Sequence, residues 1–219
     1  MCLTAKQQII AALTKPTERS KQRLVGASQI GGCPYHLGLD MLKSKNTEHV
    51  VEAETGMAAW LGTAMHNWIE QTLVLEGAVQ ETKVDIFDIP GYGSIGGHID
   101  MCWDDSIWDW KLQGKWKIDQ QRLAFRKAPD QIPDTTYRVQ LHLYGFGRLQ
   151  QGHKVDTVNM VSFPKLSNSF NDIKIYTEKY NQELVDSAID RARRIWTLCE
   201  EGRVEDLPRM EGCYDCREF

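Results

Sequence analysis

The spacing of apolar positions changes period several times along the chain, and each change marks an element. From Met57 to about Leu75, the residues Met57, Leu61, Met65, Trp68, Ile69 and Leu73 recur every three or four positions. That spacing predicts a partly buried helix, with Gly77 as its cap. Three runs of strand character follow, Thr82 to Ile89, Gly93 to Trp103 and Ser106 to Leu112, separated by turns at Pro90 to Gly93 and at Asp104 and Asp105. They predict an antiparallel meander. A polar connector rich in Gln, Lys and Arg is expected from Gln113 to about Asp134. A helix is then expected from Thr135 to Gln150, closed by Gly152, followed by a buried strand from Val155 to Phe163. The last long helix is expected from about Glu178 to Glu201, ending at Gly202. Upstream, residues 1–25 are polar and helix-compatible, and Gly26, Gly31, Gly32 and Pro34 punctuate the chain. The order helix, three strands, helix, strand, helix predicts an α/β fold with a mixed central sheet of about four strands flanked by helices.

Composition narrows the class. The chain has 219 residues, 42% of them hydrophobic and 26% charged, enough for one compact domain with a single core. Twenty-six basic against thirty acidic residues leave a net charge of -4, so no global basic field exists and any nucleic-acid contact must be local. No stretch approaches the roughly 18 apolar residues that cross a bilayer, which predicts no membrane partner. The short run Ile9 to Leu13, followed by Lys15 and Pro16, lacks the pattern of a signal peptide, and the cytoplasm is the expected compartment. In that compartment the six cysteines at 2, 33, 102, 199, 213 and 216 are read as reduced thiols or metal ligands before disulfides.

The strongest chemical signal is Gly97-His98-Ile99-Asp100 followed by Asp109-Trp110-Lys111. Side chains alternate along a strand, so Asp109 and Lys111 share one face while Trp108 and Trp110 take the other. A hairpin across Asp104 and Asp105 would set Asp100 beside Asp109. Two carboxylates and an ammonium in one place are costly to bury unless a divalent cation joins them, and hard oxygen donors select Mg²⁺ or Mn²⁺. The reaction this suits is phosphodiester hydrolysis, with Lys111 orienting water and offsetting phosphate charge. A lone Asp-x-Lys is more often a solvated pair on a hairpin; its neighbours change the balance. His66 and Glu70 lie four apart on the upstream helix, and Gln140 and Tyr144 repeat that geometry on the later one, after Tyr137 and Arg138.

In this order, Gly62-x-x-x-His66, Gly97-x-Ile99-Asp100, Asp109-x-Lys111 and Gln140-x-x-x-Tyr144 resemble the motif series of the RecB-like branch of the PD-(D/E)xK nucleases. That branch includes phage exonucleases and CRISPR-associated RecB-like exonucleases. The resemblance implies a restriction-endonuclease-like core over residues 55–165. Residues 1–54 would form an N-terminal helical arm containing Cys33, and residues 166–219 a C-terminal helix with a Cys-x-x-Cys tail. It also implies metal-dependent DNA cleavage, usually as an exonuclease acting on linear ends or single strands in recombination, repair or phage DNA processing, with a recombination partner protein as the candidate protein partner. Asp100 and Asp109 would be the main metal ligands, His66 an additional one and Glu70 a weaker one. Lys111 would be the catalytic lysine, with Gln140 and Tyr144 as its companions. An endonuclease or CRISPR-adaptation nuclease of the same chemistry is the alternative, and a non-catalytic DNA-binding scaffold is the alternative of another class.

Cys33 before this core and Cys213 and Cys216 after it are similar to the iron-sulfur subgroup of the branch. There, one N-terminal and three C-terminal cysteines hold a [4Fe-4S] cluster; four thiolates can equally hold Zn²⁺. Three of the four stand out here, and Cys199 is the expected substitute for the fourth, ahead of Cys2. Cys102, two residues beyond Asp100, is expected near the active site. For DNA contacts, Lys115, Lys117, Arg122, Arg126 and Lys127 follow directly on Lys111, with Trp116 and Phe125 as base-stacking candidates. Arg191, Arg193 and Arg194 form a second basic cluster.

Overall fold

The computed structural model describes residues 4, 24–46, 57–211, 213 and 216. Most of the polar segment 1–25, including Cys2, lies outside the described residues. The first elements among the described residues are a single helical turn α1 (Ala27–Ile30) and helix α2 (Pro34–Asn46). Pro34 is thus the first residue of a helix, where its missing N–H costs nothing, rather than only a breaker. Helix α3 (Met57–Thr72) leads to strands β1 (Val79–Ile89), β2 (Gly93–Trp103) and β3 (Ser106–Gln113). Helices α4 (Lys115–Lys127) and α5 (Thr135–Gln150), strands β4 (Thr157–Pro164) and β5 (Lys174–Lys179), and helix α6 (Gln182–Glu200) follow, with short 3-10 turns at Phe170–Asp172 and Val204–Asp206.

The five strands form one mixed sheet in sequence order. β1, β2 and β3 are antiparallel, β4 runs parallel to β3, and β5 is antiparallel to β4. The parallel step needs a crossover, which α4 and α5 supply. The turn between β2 and β3 has Asp104 and Asp105 both at φ 51°, the backbone twist that suits a two-residue hairpin.

Several elements depart from the expectation. The connector after Gln113 contains helix α4, whose only buried residues are Ile118 and Gln121. Two inward positions in thirteen leave no apolar period to read. The sheet has five strands rather than four, and the last helix begins at Gln182 because Glu178 and Lys179 belong to β5. α3 ends at Thr72, and Gly77 (φ +76°) instead serves the turn into β1. The face expected on α3 is only partly used. Met65 and Ile69 pack on the sheet, whereas Met57, Leu61 and Trp68 are exposed.

The main core lies between one sheet face and α2, α5 and α6. α1 sits close on α5, where a Cβ on Gly31 would fall 2.8 Å from the Thr136 backbone. The second face carries Met101, Trp110 and Val161, with Trp103, Trp108 and Phe163 beside them, beneath α3. Among the described residues, no helix is long and apolar enough to cross a membrane.

Candidate active site

Strand geometry opens the site. β2 and β3 pair from Trp103 with Ser106 to Met101 with Trp108, and their register stops one residue short of Asp100 and Asp109. In the opening, the Trp110 N–H donates to Asp100 Oδ2 at 2.7 Å, so the carboxylate replaces a ladder partner. Asp100 and Asp109 are both buried and line one pocket of about 460 Å³ together with His66, Lys111, Gln140 and Tyr144.

His66 comes from α3. Its Nδ1 is 3.1 Å from Asp100 Oδ1 and its Nε2 is 3.0 Å from the Trp110 carbonyl oxygen. A carbonyl only accepts, so Nε2 carries a proton, and the carboxylate at Nδ1 favours a second. Burial opposes the imidazolium, but the hydrogen bond and charge of Asp100, with the charge of Asp109, outweigh it and raise the pKa.

Lys111 Nζ lies 2.7 Å from Asp109 Oδ2 and sits over the Tyr137 ring, 4.7 Å from its centroid. Burial pushes the Asp109 carboxyl up to about 6; Lys111 pulls it down and the charge of Asp100 adds to the rise. Burial also disfavours the ammonium, yet Asp109 holds Lys111 protonated, above its ordinary value. Gln140 Nε2 donates to Asp109 Oδ1 at 3.3 Å and to the Tyr144 hydroxyl at 3.0 Å. Burial, and then the charge of Asp109, push the Tyr144 phenol up to about 12, so it stays neutral. Gly97 makes room for that phenol, since a Cβ there would be 2.6 Å from the Tyr144 ring.

Two residues join the site that the sequence did not single out for it. Tyr137 braces Lys111, and Glu81 of β1 has a carboxylate oxygen within 4.8 Å of ligand atoms of His66 and Asp100. Neither carries a local sequence signal, because ring stacking and cross-strand opposition exist only once the strands are aligned. Glu70, one turn beyond His66, is exposed and does not line the pocket.

The basic residues expected to meet DNA lie on α4. Lys115, Arg122 and Arg126 follow helical spacing on one stripe, where Lys115 pairs with Asp119 at 2.6 Å. Lys117 instead pairs with Asp134 at 2.5 Å, and Lys127 ends the helix. Trp116 is exposed. Phe125 is not available for stacking on a base, because it packs edge-on against Tyr176 at 5.0 Å. In the second basic cluster, Arg191 is bound to the Ile30 and Gly32 carbonyls and so serves the fold.

Cys33, Cys213 and Cys216 bring their sulfurs within 4.8 Å of one another, with Cys33 and Cys216 at 3.7 Å. Burial opposes a thiolate at Cys33, but the Met210 and His36 N–H groups and the two neighbouring thiols outweigh it, and its pKa is lowered. Cys216 is pushed up to about 12, by desolvation and then by its sulfur neighbours. Cys199 is not in this group; its thiol donates to the Gly38 carbonyl at 3.5 Å. Cys102, on β2, faces Thr82 in the main core.

No protein-family model and no curated protein matches the chain. Solved structures do. The alkaline exonuclease LHK-Exo of Laribacter hongkongensis superposes with a TM-score of 0.53 at 14% identity, over 87% of this chain and 95% of the exonuclease. The same enzyme in complex with dAMP gives 0.51 at 15% identity, over 91% and 95%. The protein SSO0001 gives 0.54 at 12% identity, over 88% and 87%. The chain therefore has the restriction-endonuclease-like fold of LHK-Exo, as the RecB-like motif series implies.

Proposed function

We propose that this chain is a Mg²⁺- or Mn²⁺-dependent deoxyribonuclease that hydrolyses phosphodiester bonds at DNA ends. The observation that carries the reading is the convergence of Asp100, Asp109, Lys111 and His66 on one pocket at the place where β2 and β3 separate. Their donors fit a hard divalent cation. Asp100 and Asp109 offer buried carboxylate oxygens, and His66 offers an imidazole nitrogen once its Nδ1 has given up its proton, whereas the Lys111 ammonium has no lone pair to offer a metal. When bound, the cation supplies Lewis-acid stabilisation of charge on the phosphoryl group.

The protein side of the reaction follows from the contacts. Asp109 and Tyr137 hold the Lys111 ammonium in one orientation, from which it positions the attacking water and offsets charge on the pentavalent phosphate. Gln140 and the neutral Tyr144 fix the other oxygen of Asp109. The α4 stripe of Lys115, Arg122 and Arg126 follows the phosphate backbone, with Lys117, Lys127 and exposed Trp116 beside it. Action at ends is supported by the exonuclease likeness, including the relative that binds dAMP, a mononucleotide.

End-labelled linear DNA and closed circular DNA, incubated with Mg²⁺ or Mn²⁺, test the reading. Loss of the linear substrate alone is expected; circular cleavage would make the enzyme an endonuclease, and no loss of either would leave a DNA-binding scaffold. Lys111→Ala should slow degradation by about 100- to 1,000-fold with the fold retained.

We also infer that Cys33, Cys213 and Cys216 hold a thiophilic metal centre, a [4Fe-4S] cluster or Zn²⁺. The three converging sulfurs and the Met210 N–H that donates to Cys33 Sγ support it, since such centres are held by thiolates and tuned by N–H···S hydrogen bonds.

A further inference from the structure

Glu81 reaches the site from β1, the strand beside β2. Across β1 and β2, Gln80 pairs with Met101 and Thr82 with Ile99, so Glu81 stands opposite Asp100. Its φ of 50° departs from the extended backbone on either side, in a region that non-glycine residues seldom occupy. A Glu81 carboxylate oxygen, a His66 ring nitrogen and an Asp100 carboxylate oxygen all lie within 4.8 Å of one another. Like charges directly opposite on paired strands repel, and a strained residue persists only where its surroundings compensate. Both costs fall on one position, beside a histidine.

Resting on the metal-dependent nuclease reading, we propose that Glu81 is a ligand of the divalent cation, which it grips together with His66 and Asp100. Donor atoms around a cation with bonds of about 2.1 Å stand about 3 Å apart when adjacent and about 4.2 Å when opposite. The trio needs only a small side-chain contraction to reach that spacing, and Glu81 has three side-chain torsions to supply it. Asp109 has one oxygen on Lys111 at 2.7 Å and the other on Gln140 at 3.3 Å. Glu81 adds the carboxylate oxygen that Asp109 has largely committed elsewhere. One imidazole nitrogen with two or more carboxylate oxygens is a set that Mn²⁺ tolerates well.

Mn²⁺ binding by metal-free protein, followed by electron paramagnetic resonance of the free ion without DNA, tests the assignment. Glu81→Gln is expected to weaken Mn²⁺ at least tenfold and Asp100→Asn to abolish binding. Glu81→Gln should remain folded without metal, while the rise in unfolding temperature on adding Mn²⁺ should be largely lost. Should Glu81→Gln fail to fold, Glu81→Asp retains the charge on a shorter arm and should bind Mn²⁺ more weakly than wild type. Wild-type affinity in the folded variant overturns the proposal, as does a wild-type protein that takes up no Mn²⁺. Degradation of linear DNA by wild type is read separately, so a Glu81 variant that binds normally removes this ligand and leaves the nuclease reading standing.

Discussion

Asp109 has to be buried and ionised at once, and that conflict sets the pH response of the site. Its carboxyl, pushed up to about 6, is neutral below that pH and then neither pairs with Lys111 nor serves a cation. Metal-dependent cleavage should therefore fall as the pH drops through about 6, with the Mg²⁺ concentration needed for half-maximal rate rising about tenfold per pH unit below it. Rates measured against Mg²⁺ at several pH values check this. Gly97 makes a separate prediction. In Gly97→Ala the new methyl meets the Tyr144 ring at 2.6 Å, and the ring must shift. Stability should fall by about 1–3 kcal/mol in denaturant titration, and cleavage should slow because Tyr144 carries the Gln140 contact to Asp109. At this scale much was legible: the motif series and its RecB-like resemblance single out His66, Asp100, Asp109, Lys111, Gln140 and Tyr144, which the structure gathers in one pocket, and also Glu70, which it leaves outside. Tyr137 and Glu81 were not, since a ring over an ammonium and a carboxylate across a ladder leave no periodic trace.

Helix α5 carries Gln140 and Tyr144, so its seating on the sheet decides whether they reach Asp109. Asp134 caps it by accepting from the Thr136 and Tyr137 N–H groups, both at 3.1 Å. Glu178 of β5 then pins it. The carboxylate takes a forked hydrogen bond from Arg138 and accepts the Ile132 N–H at 2.9 Å, with His142 Nε2 at 3.4 Å. Burial works against the Glu178 charge, but these donors outweigh it and bring its pKa down from 4.5 to about 2. A lowered carboxyl stabilises the fold above pH 4.5, and that contribution is lost as the pH falls through about 2. Glu178→Gln should cost about 3 kcal/mol at neutral pH, with the gap to wild type closing between pH 4.5 and 2 in acid-unfolding curves. The α5 boundaries follow from its cap and periodicity, but β5 does not. Lys174–Lys179 turns Tyr176 and Glu178 inward and Ile175 outward, which inverts the polarity a strand is recognised by.

At the scale of the whole molecule, Cys33 at the start of α2 meets Cys213 and Cys216 at the far end of the chain. Metal analysis of anaerobically purified protein should find iron with absorption near 400 nm, or else zinc. Cys33→Ser should lower that content and the unfolding temperature together, while cleavage by the folded remainder persists because the sulfurs lie outside the catalytic pocket. The sheet order, the two packed faces and the helical extensions all serve to bring such distant segments together. Periodicity and motif spacing were enough to establish the α/β class, the meander and the residue types of the site, because these depend on neighbours within a turn or a hairpin. The fifth strand, the helix hidden in a polar connector, the separation of Cys199 from the three clustered sulfurs, and the approach of Glu81 to Asp100 came only from the folded chain. Each depends on contacts between segments far apart in sequence, where burial, charge opposition and reach act on positions that no local pattern relates.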